Sequence, residues 1–330
     1  MKQRLEWLSL LRGLTILLVV MNHVQLVDLS TGQNHAFCEW VSKPFELVRM
    51  PTFIFVSGGL LYLSRISAGW AVGRLYADKL RRIMLPFLFF VTFFFFFKLL
   101  FNSVVKTKVA FSMAMFFESF VIYADHPSAH LWFLATLMEL MLLYPVFRWL
   151  CERDARMWVF GVFSILLYFV GFPFLADYNY FNIACLPDYL VFFFFGIAFF
   201  RYEGWRQTAS WRSVLWLLAV YVAFYVLQVP LFTSLAGILV MVSVSQQLVR
   251  YLPGLFSSFR EYIFPIYLMS FIFQPFVELV LWRRLFYDEH LFLLFYVLNV
   301  VAGIYGPVWV SHVAERIPFR GLRYCLGLNK

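Results

Sequence analysis

Apolar runs of about 20 residues, separated by short polar links, recur along almost the whole of this chain. A run of that length crosses the hydrocarbon core of a bilayer as an α-helix, whose backbone polar groups are paired internally. Of the 330 residues, 63% are hydrophobic and only 14% are charged. The sequence therefore predicts an all-α protein, a polytopic transmembrane helical bundle, and excludes a soluble globular domain.

Ten membrane spans are predicted, and short links between them indicate a single integral membrane domain over residues 1–330. The spans fall at residues 7–27, 45–63, 83–101, 130–149, 157–176, 183–200, 213–229, 231–249, 262–282 and 291–313. An even number places both termini on one side, and nineteen of the 27 Lys and Arg residues lie on that side. This excess predicts cytoplasmic termini. The formal charge of +9 is thus an orientation signal, and nucleic-acid binding is not expected.

Two ionisable residues, Arg12 and His23, interrupt the first apolar run. On a helix their offset leaves them roughly 20° apart around the axis and about 16 Å apart along it, so they share one face. Functionally, Arg12 would hold an anionic group arriving from the cytoplasm, and His23 would act as base or nucleophile. The structural alternatives are an arginine that reaches the lipid headgroups and a histidine that bonds to a neighbouring helix.

The next spans carry further arginines near their ends. Arg49 is predicted at the depth of His23, either orienting an acceptor and stabilising a developing oxyanion or anchoring the helix at the interface. Pro51 is placed in the first turn of that helix, and the Ser57-Gly58-Gly59 run favours close helix approach. Arg81 and Arg82, before the third span, suit phosphates arriving from the cytosol, although the positive-inside bias alone would also place them there.

The fourth span begins with His130 and Trp132 and carries Glu139 near its middle. His130 and Trp132 would line an acceptor site by hydrogen bonding and by stacking on a sugar face, although tryptophan is also a common interface anchor. Glu139 needs a partner or a proton and is either catalytic or a neutral group bonded to another helix. The four cysteines lack metal-binding spacing, so no metal site is predicted.

Several motifs occur in the order found in the acyltransferase-3 family, which the whole chain resembles. They are Arg12-x10-His23, Met50-Pro51-Thr52-Phe53-Ile54-Phe55-Val56-Ser57-Gly58, Arg82-Ile83-x-x-Pro86, His130-Leu131-Trp132-Phe133-Leu134 and the segment Tyr189 to Gly196. The resemblance implies a multi-pass membrane O-acyltransferase, in the bacterial cytoplasmic (inner) membrane. Its expected reaction moves an acyl group, commonly acetyl from acetyl-CoA, to a hydroxyl of a cell-envelope glycan, a lipid-linked sugar or a related acceptor.

By the same resemblance, His23 looks like the catalytic histidine, Arg12 and Arg82 like donor-side or structural arginines, and Ser57 like a packing or site-lining residue. One position departs from the pattern. Many members have Tyr-Leu-x-His in a late span, whereas this chain has Ser270 in the last place. A role for a late-span histidine therefore does not carry over to this chain.

The spacing and the resemblance support one mechanism. The phosphates of acetyl-CoA, or of another acyl-CoA, would bind Arg81, Arg82 and Arg12 as those of a donor substrate rather than of a resident cofactor. The acyl group would reach an acceptor hydroxyl near His23, Arg49 and His130. His23 would then either deprotonate that hydroxyl or carry the acyl group transiently.

Two other function classes fit a chain of this kind. A transporter or flippase for an envelope intermediate would also hold polar residues in the membrane, but inverted repeats and paired broken helices are not evident. A non-catalytic assembly subunit of a polysaccharide machine would tolerate replacement of Arg12 and His23. A membrane-bound O-acyltransferase of the other known class would need a late histidine, and His290 and His312 lie only at helix ends.

Overall fold

The computed structural model describes residues 3–29, 31, 33–101, 112–122, 128–171, 173 and 180–328, with side chains from residue 6 onward. Within these ranges the structure is helical. The α-helices are α1 (Gln3–Asn22), α2 (Ala36–Ser42), α3 (Glu46–Leu61), α4 (Val72–Lys79), α5 (Leu85–Leu100), α6 (Met113–Glu118), α7 (Trp132–Leu142), α8 (Tyr144–Leu150), α9 (Asp154–Val170), α10 (Leu186–Arg201), α11 (Trp211–Val226), α12 (Pro230–Tyr251), α13 (Ile263–Phe276), α14 (Phe292–Arg316) and α15 (Arg320–Cys325). Two isolated β-bridges are the extended pairing seen in the described chain. The all-α prediction is therefore confirmed.

Six continuous helical stretches are long and apolar enough to cross a membrane. They are Ala36–Ile66, Val72–Leu100, Ile183–Arg201, Pro230–Tyr251, Ile263–Leu285 and Glu289–Arg316. Helices α7 and α8 together make a seventh candidate. Each of the ten predicted spans overlaps a described helix, the fourth overlapping both α7 and α8. Residues 172 and 174–176 of the fifth span lie outside the described residues. A count of ten and the side on which the termini lie stay predictions.

The helices group into two compact units. The first unit comprises Met1–Val56 and Glu203–Pro318, and the second comprises Ser57–Tyr202 and Phe319–Lys330. Helix α3 crosses from the first unit into the second at Ser57.

In the first unit, α1 is the central helix and packs against α2, α12, α13 and α14. Its apolar side chains are buried on several sides, as expected for a helix surrounded by others; Leu10, Leu11, Ile16 and Val20 are each 0% exposed. The helix ends at Asn22, five residues before the predicted boundary. The chain then turns through polar residues, and a short bridge joins Val27 to Asn34.

Pro51 does not lie in the first turn of a helix, as the sequence predicted, because helical structure continues from Ala36 to Ile66. A proline inside a helix cannot donate to the carbonyl four residues earlier, here that of Leu47. The hydroxyl of Ser234 on α12 supplies the missing donor, at 2.6 Å from the Leu47 carbonyl oxygen. A side chain from a neighbouring helix therefore stabilises the proline-containing turn.

In the second unit, α3 and α10 approach closely, as the small residues of α3 predicted. A Cβ on Gly58 would lie 2.0 Å from the main-chain oxygen of Phe193, and one on Gly59 would lie 2.3 Å from the Phe200 ring. The fourth predicted span is bent, because α7 and α8 meet at an angle of 50°. The bend falls just before Pro145, which removes one hydrogen bond of the helical ladder.

Candidate functional site

His23 follows the last residue of α1 and lies beside a polar contact between two helices of the first unit. Asn22 accepts a hydrogen bond from the Arg49 guanidinium on α3. The His23 ring packs against Phe271 on α13, with 4.4 Å between the ring centroids. The structure therefore brings together two of the predicted site residues, His23 and Arg49, through the side chain of Asn22.

Arg12 lies on α1, which is continuous from Gln3 to Asn22 and ends one residue before His23, so the two predicted residues do not lie on one helix. It is partly buried and has no hydrogen-bond or ion-pair partner among the described residues. Its neighbour Gly13 faces Phe256, whose ring would be 3.2 Å from a Cβ at that position. The link between α12 and α13 therefore passes beside this part of α1. An arginine that has no partner among the described residues is suited to an anionic ligand.

The end of α1 is also held by residues outside the predicted site. Gln274 on α13 donates from Nε2 to the Val20 carbonyl at 2.9 Å and to Oδ1 of Asn299 at 3.0 Å. Asn299 on α14 donates from Nδ2 to the main-chain carbonyl of Gln274 at 3.1 Å. In the sequence, Gln274 and Asn299 are recognisable only as amide side chains within apolar spans. Such a position does not indicate which other helix the amide contacts.

Arg81 and Arg82 border a cavity of about 320 Å³ in the second unit. Its lining residues are Trp70, Arg74, Ala77, Asp78, Arg81, Arg82 and Tyr324. Arg82 pairs with Asp78 at 2.8 Å, and Asp78 also meets Arg65 at 3.4 Å. With three lining arginines and one lining carboxylate, the cavity has a net positive charge.

Trp70 adds an aromatic ring to the lining of this cavity, and two guanidinium groups lie close to that ring. Arg65 and Arg74 lie over its ring, with 3.8 and 4.1 Å from each guanidinium carbon to the ring centroid. The Trp70 carbonyl accepts hydrogen bonds from the Tyr144 hydroxyl and from Arg148. These contacts fix the tryptophan next to the arginines.

Ser57 borders a separate, smaller cavity of about 120 Å³ in the second unit. That cavity is lined by Ser57, Leu60, Leu61, Ser64, Arg65, Lys79, Ile83, Leu137 and Met141. Ser57 therefore faces two basic residues and a hydroxyl as well as apolar side chains. This environment fits a site-lining role as well as a packing role.

The fourth-span residues also lie in the second unit. The His130 ring meets Phe94 edge-on at 4.3 Å, and Trp132 lies 5.3 Å from the Tyr189 ring. Oε2 of Glu139 is buried and has no hydrogen-bond partner among the described residues. This segment thus contains an aromatic pair and a buried carboxyl oxygen without a hydrogen-bond partner among the described residues.

The predicted site residues consequently divide between the two units. Arg12, His23 and Arg49 belong to the first unit, and Ser57, Arg81, Arg82, His130, Trp132 and Glu139 belong to the second. Among the residues that the structure describes, no group of three or more His, Cys, Asp or Glu side chains is placed to hold a metal ion.

Comparison with known proteins shows which family the chain belongs to, which the geometry of the site alone does not. Searches of curated proteins and of solved structures gave no significant match. The sequence profile of the acyltransferase-3 family, described as an acyltransferase domain, matches residues 5–312. This match includes most of α1 with Arg12, the following residue His23, and most of α14. Because the profile covers nearly all of a chain built from apolar membrane helices, the protein belongs to the acyltransferase-3 family of membrane acyltransferases.

Proposed function

We propose that this protein transfers an acyl group from acetyl-CoA, or from another acyl-CoA, to a hydroxyl of a cell-envelope glycan or lipid-linked sugar. The single observation that carries the proposal is the contact at the end of α1. There His23 lies next to Asn22, and Asn22 holds the guanidinium of Arg49. A base beside a fixed cation is the arrangement that acyl transfer to a hydroxyl requires.

Two routes use these residues. In the direct route, His23 accepts the proton of the acceptor hydroxyl as its oxygen attacks the thioester carbonyl. The C–S bond then breaks and the CoA thiolate leaves, taking up a proton. In the covalent route, an imidazole nitrogen of His23 attacks the thioester carbonyl, the C–S bond breaks, and the CoA thiolate leaves with the imidazole proton. The acceptor oxygen then attacks the acyl-imidazole, the C–N bond breaks, and the imidazole takes up the hydroxyl proton. Arg49 would stabilise the oxyanion formed in either route.

Binding of the donor is supported by features of each unit. In the first unit, Arg12 is free of protein partners among the described residues and is suited to a phosphate or another anion. In the second unit, the cavity beside Arg81 and Arg82 combines guanidinium groups with the partly buried ring of Trp70. Arginine binds phosphates through paired hydrogen bonds, and an indole stacks on a nucleobase. These are the chemical groups of the nucleotide end of CoA.

Binding of the acceptor is supported by residues of α7 and α10. Trp132 and Tyr189 form an aromatic pair suited to the apolar face of a sugar. Oε2 of Glu139, which is buried and has no hydrogen-bond partner among the described residues, would accept a hydrogen bond from a hydroxyl. A lipid-linked acceptor would reach such residues from the surrounding membrane. His130 lies two residues before Trp132 and adds a second polar group.

The test is turnover of radiolabelled acetyl-CoA by purified protein in membranes, comparing wild type with His23→Ala and with His312→Ala. His312 is a half-exposed histidine that bonds to Tyr262, so it serves as a matched control. Because a positioned base typically supplies about 10²–10⁴-fold, His23→Ala is expected to lose turnover by roughly that factor while His312→Ala keeps it. Normal turnover by folded His23→Ala protein would refute the role of His23.

A further inference from the structure

Two buried amide side chains close around the end of α1. Gln274 is 3% exposed and Asn299 is 0% exposed. The Gln274 amide donates to Oδ1 of Asn299, and the Asn299 amide donates to the main-chain carbonyl of Gln274. Gln274 also donates to the carbonyl of Val20, so the pair links α13 and α14 to α1. Burying two amides among apolar helices is unfavourable unless their polar groups are used.

The Val20 carbonyl connects this pair to His23. The backbone N–H of His23 donates to that carbonyl at 3.1 Å. In a continued α-helix the Val20 carbonyl would accept from the N–H of Val24, but that N–H donates to the Met21 carbonyl at 3.3 Å because the helix has ended. Nε2 of Gln274 takes its place at 2.9 Å. The turn that carries His23 is therefore fixed by a side chain from another helix.

A glycine on α14 provides the space for this contact. A Cβ at Gly303 would lie 2.8 Å from Cγ1 of Val20 and 2.9 Å from Cγ of Gln274. Real Cβ atoms do not pack so closely, so a side chain at this position would push Gln274 and Val20 apart. The absence of a side chain allows α14 to support both residues at once.

One polar atom of the Gln274 side chain makes no hydrogen bond within the described residues. Its Oε1 is buried without a hydrogen-bond partner among the described residues. An apolar side chain of the same length would avoid that cost if the position served packing alone. The amide therefore contributes its N–H donor, which bonds to the Val20 carbonyl in the last turn of α1.

We propose that Gln274, supported by Asn299 and Gly303, is a positioning residue for His23, holding the last turn of α1 so that the imidazole points at the reacting groups. Gln274 acts through the Val20 carbonyl and does not itself touch the substrates. This inference rests on the proposed catalytic role of His23.

The first test variant is Gln274→Met, which keeps the length of the side chain and removes both donated hydrogen bonds. A displacement of about 1 Å can cost a catalytic group as much as 10²-fold, so kcat with acetyl-CoA is expected to fall about 10- to 100-fold. The KM for acetyl-CoA is expected to stay within about twofold, because donor contacts are untouched. Size-exclusion chromatography and thermal unfolding in detergent show whether the variant is folded.

Gly303→Ala tests the same contact without removing a polar group, and Gly306→Ala is its matched control. A Cβ at Gly306 would lie 2.5 Å from the Phe273 ring, so this substitution strains the packing of the same two helices away from the amide pair. The inference requires a fall in kcat for Gly303→Ala and a kcat near that of wild type for Gly306→Ala. Equal losses of kcat in the two variants would show that Gln274 contributes only to helix packing, which would overturn the proposal.

The double variant His23→Ala with Gln274→Met separates the inference from the function on which it rests. If Gln274 acts through His23, the double variant is no slower than His23→Ala, since residues that act as a unit are not additive. A further loss would mean that Gln274 acts elsewhere. If His23→Ala is inactive while folded Gln274→Met is fully active, the role of Gln274 is refuted and the proposed function remains supported. Full activity of His23→Ala would remove both.

Discussion

Arg12 carries a permanent positive charge within a helix whose other side chains are mostly apolar. Ionisable groups at membrane depth are costly and usually face a partner, a cavity or a ligand. Among the described residues Arg12 has no such partner. An anionic substrate group would supply one, and the proposed donor carries several phosphates.

For Arg12→Ala, we expect the KM for acetyl-CoA to rise about 10- to 100-fold, since a hydrogen bond to a charged group is worth about 1.5–3 kcal/mol. Arg12→Lys should fall between this variant and wild type, because it keeps the charge and loses the planar fork. Initial rates over a range of acetyl-CoA concentrations measure the effect. A lower kcat with an unchanged KM would instead place Arg12 in the chemical step.

The α3 helix keeps a proline in its interior because α12 compensates for it. Pro51 leaves the Leu47 carbonyl without its usual donor, and the buried hydroxyl of Ser234 replaces that donor. Gly237, one turn later on α12, lets Val48 approach; a Cβ there would lie 2.5 Å from a Val48 methyl group. The path of the helix that carries Arg49 thus depends on a neighbouring element.

Ser234→Ala is expected to lower the stability of the protein by about 1–3 kcal/mol, the usual penalty for leaving a buried acceptor unpaired. Ser311→Ala is the matched control, because that buried hydroxyl bonds to the Pro307 carbonyl of its own helix, which the backbone also serves. Thermal unfolding in detergent should show a clearly larger loss for Ser234→Ala. Equal shifts in the two variants would contradict the compensation.

At the scale of the whole molecule, the number of spans determines which loops face the cytoplasm. Six continuous stretches and one bent pair meet the length and composition of a span, whereas α11 is an apolar helix of only 16 residues. A short helix can still cross if the bilayer thins or its flanking residues reach the interface. With ten spans, α11 crosses and its two ends face opposite sides.

Cysteine labelling tests this topology in a variant that lacks the four natural cysteines. Gln207 and Leu227 are exposed residues on either side of α11. With an impermeant maleimide on intact bacterial cells, we expect Leu227→Cys to be labelled and Gln207→Cys to be labelled only after the cells are opened. Labelling of both from outside, or of neither, would show that α11 does not cross.

Much of the architecture could be predicted from the sequence, because apolar length and charge bias are local properties of a chain in a membrane. The helical class, the family and the close approach of α3 at Gly58 all followed from local patterns. Helix ends were less predictable. Helix α1 stops at Asn22, where Gln274 of another helix donates to the Val20 carbonyl. The bend between α7 and α8 falls just before Pro145, but a proline alone does not give its angle of 50°.

The sequence by itself therefore determined that this is a helical membrane acyltransferase and that Arg12 and His23 belong to one apolar segment, since apolar length is a local property of the chain. The expectation that both lie on one helix was not met, because α1 ends at Asn22 and His23 follows the helix that carries Arg12. Only the tertiary structure decided what surrounds them. Asn299 lies 25 residues after Gln274, and Gln274 lies 254 residues after Val20. Contacts at such separations are made by packing, and no local pattern encodes which buried polar groups will meet to satisfy one another.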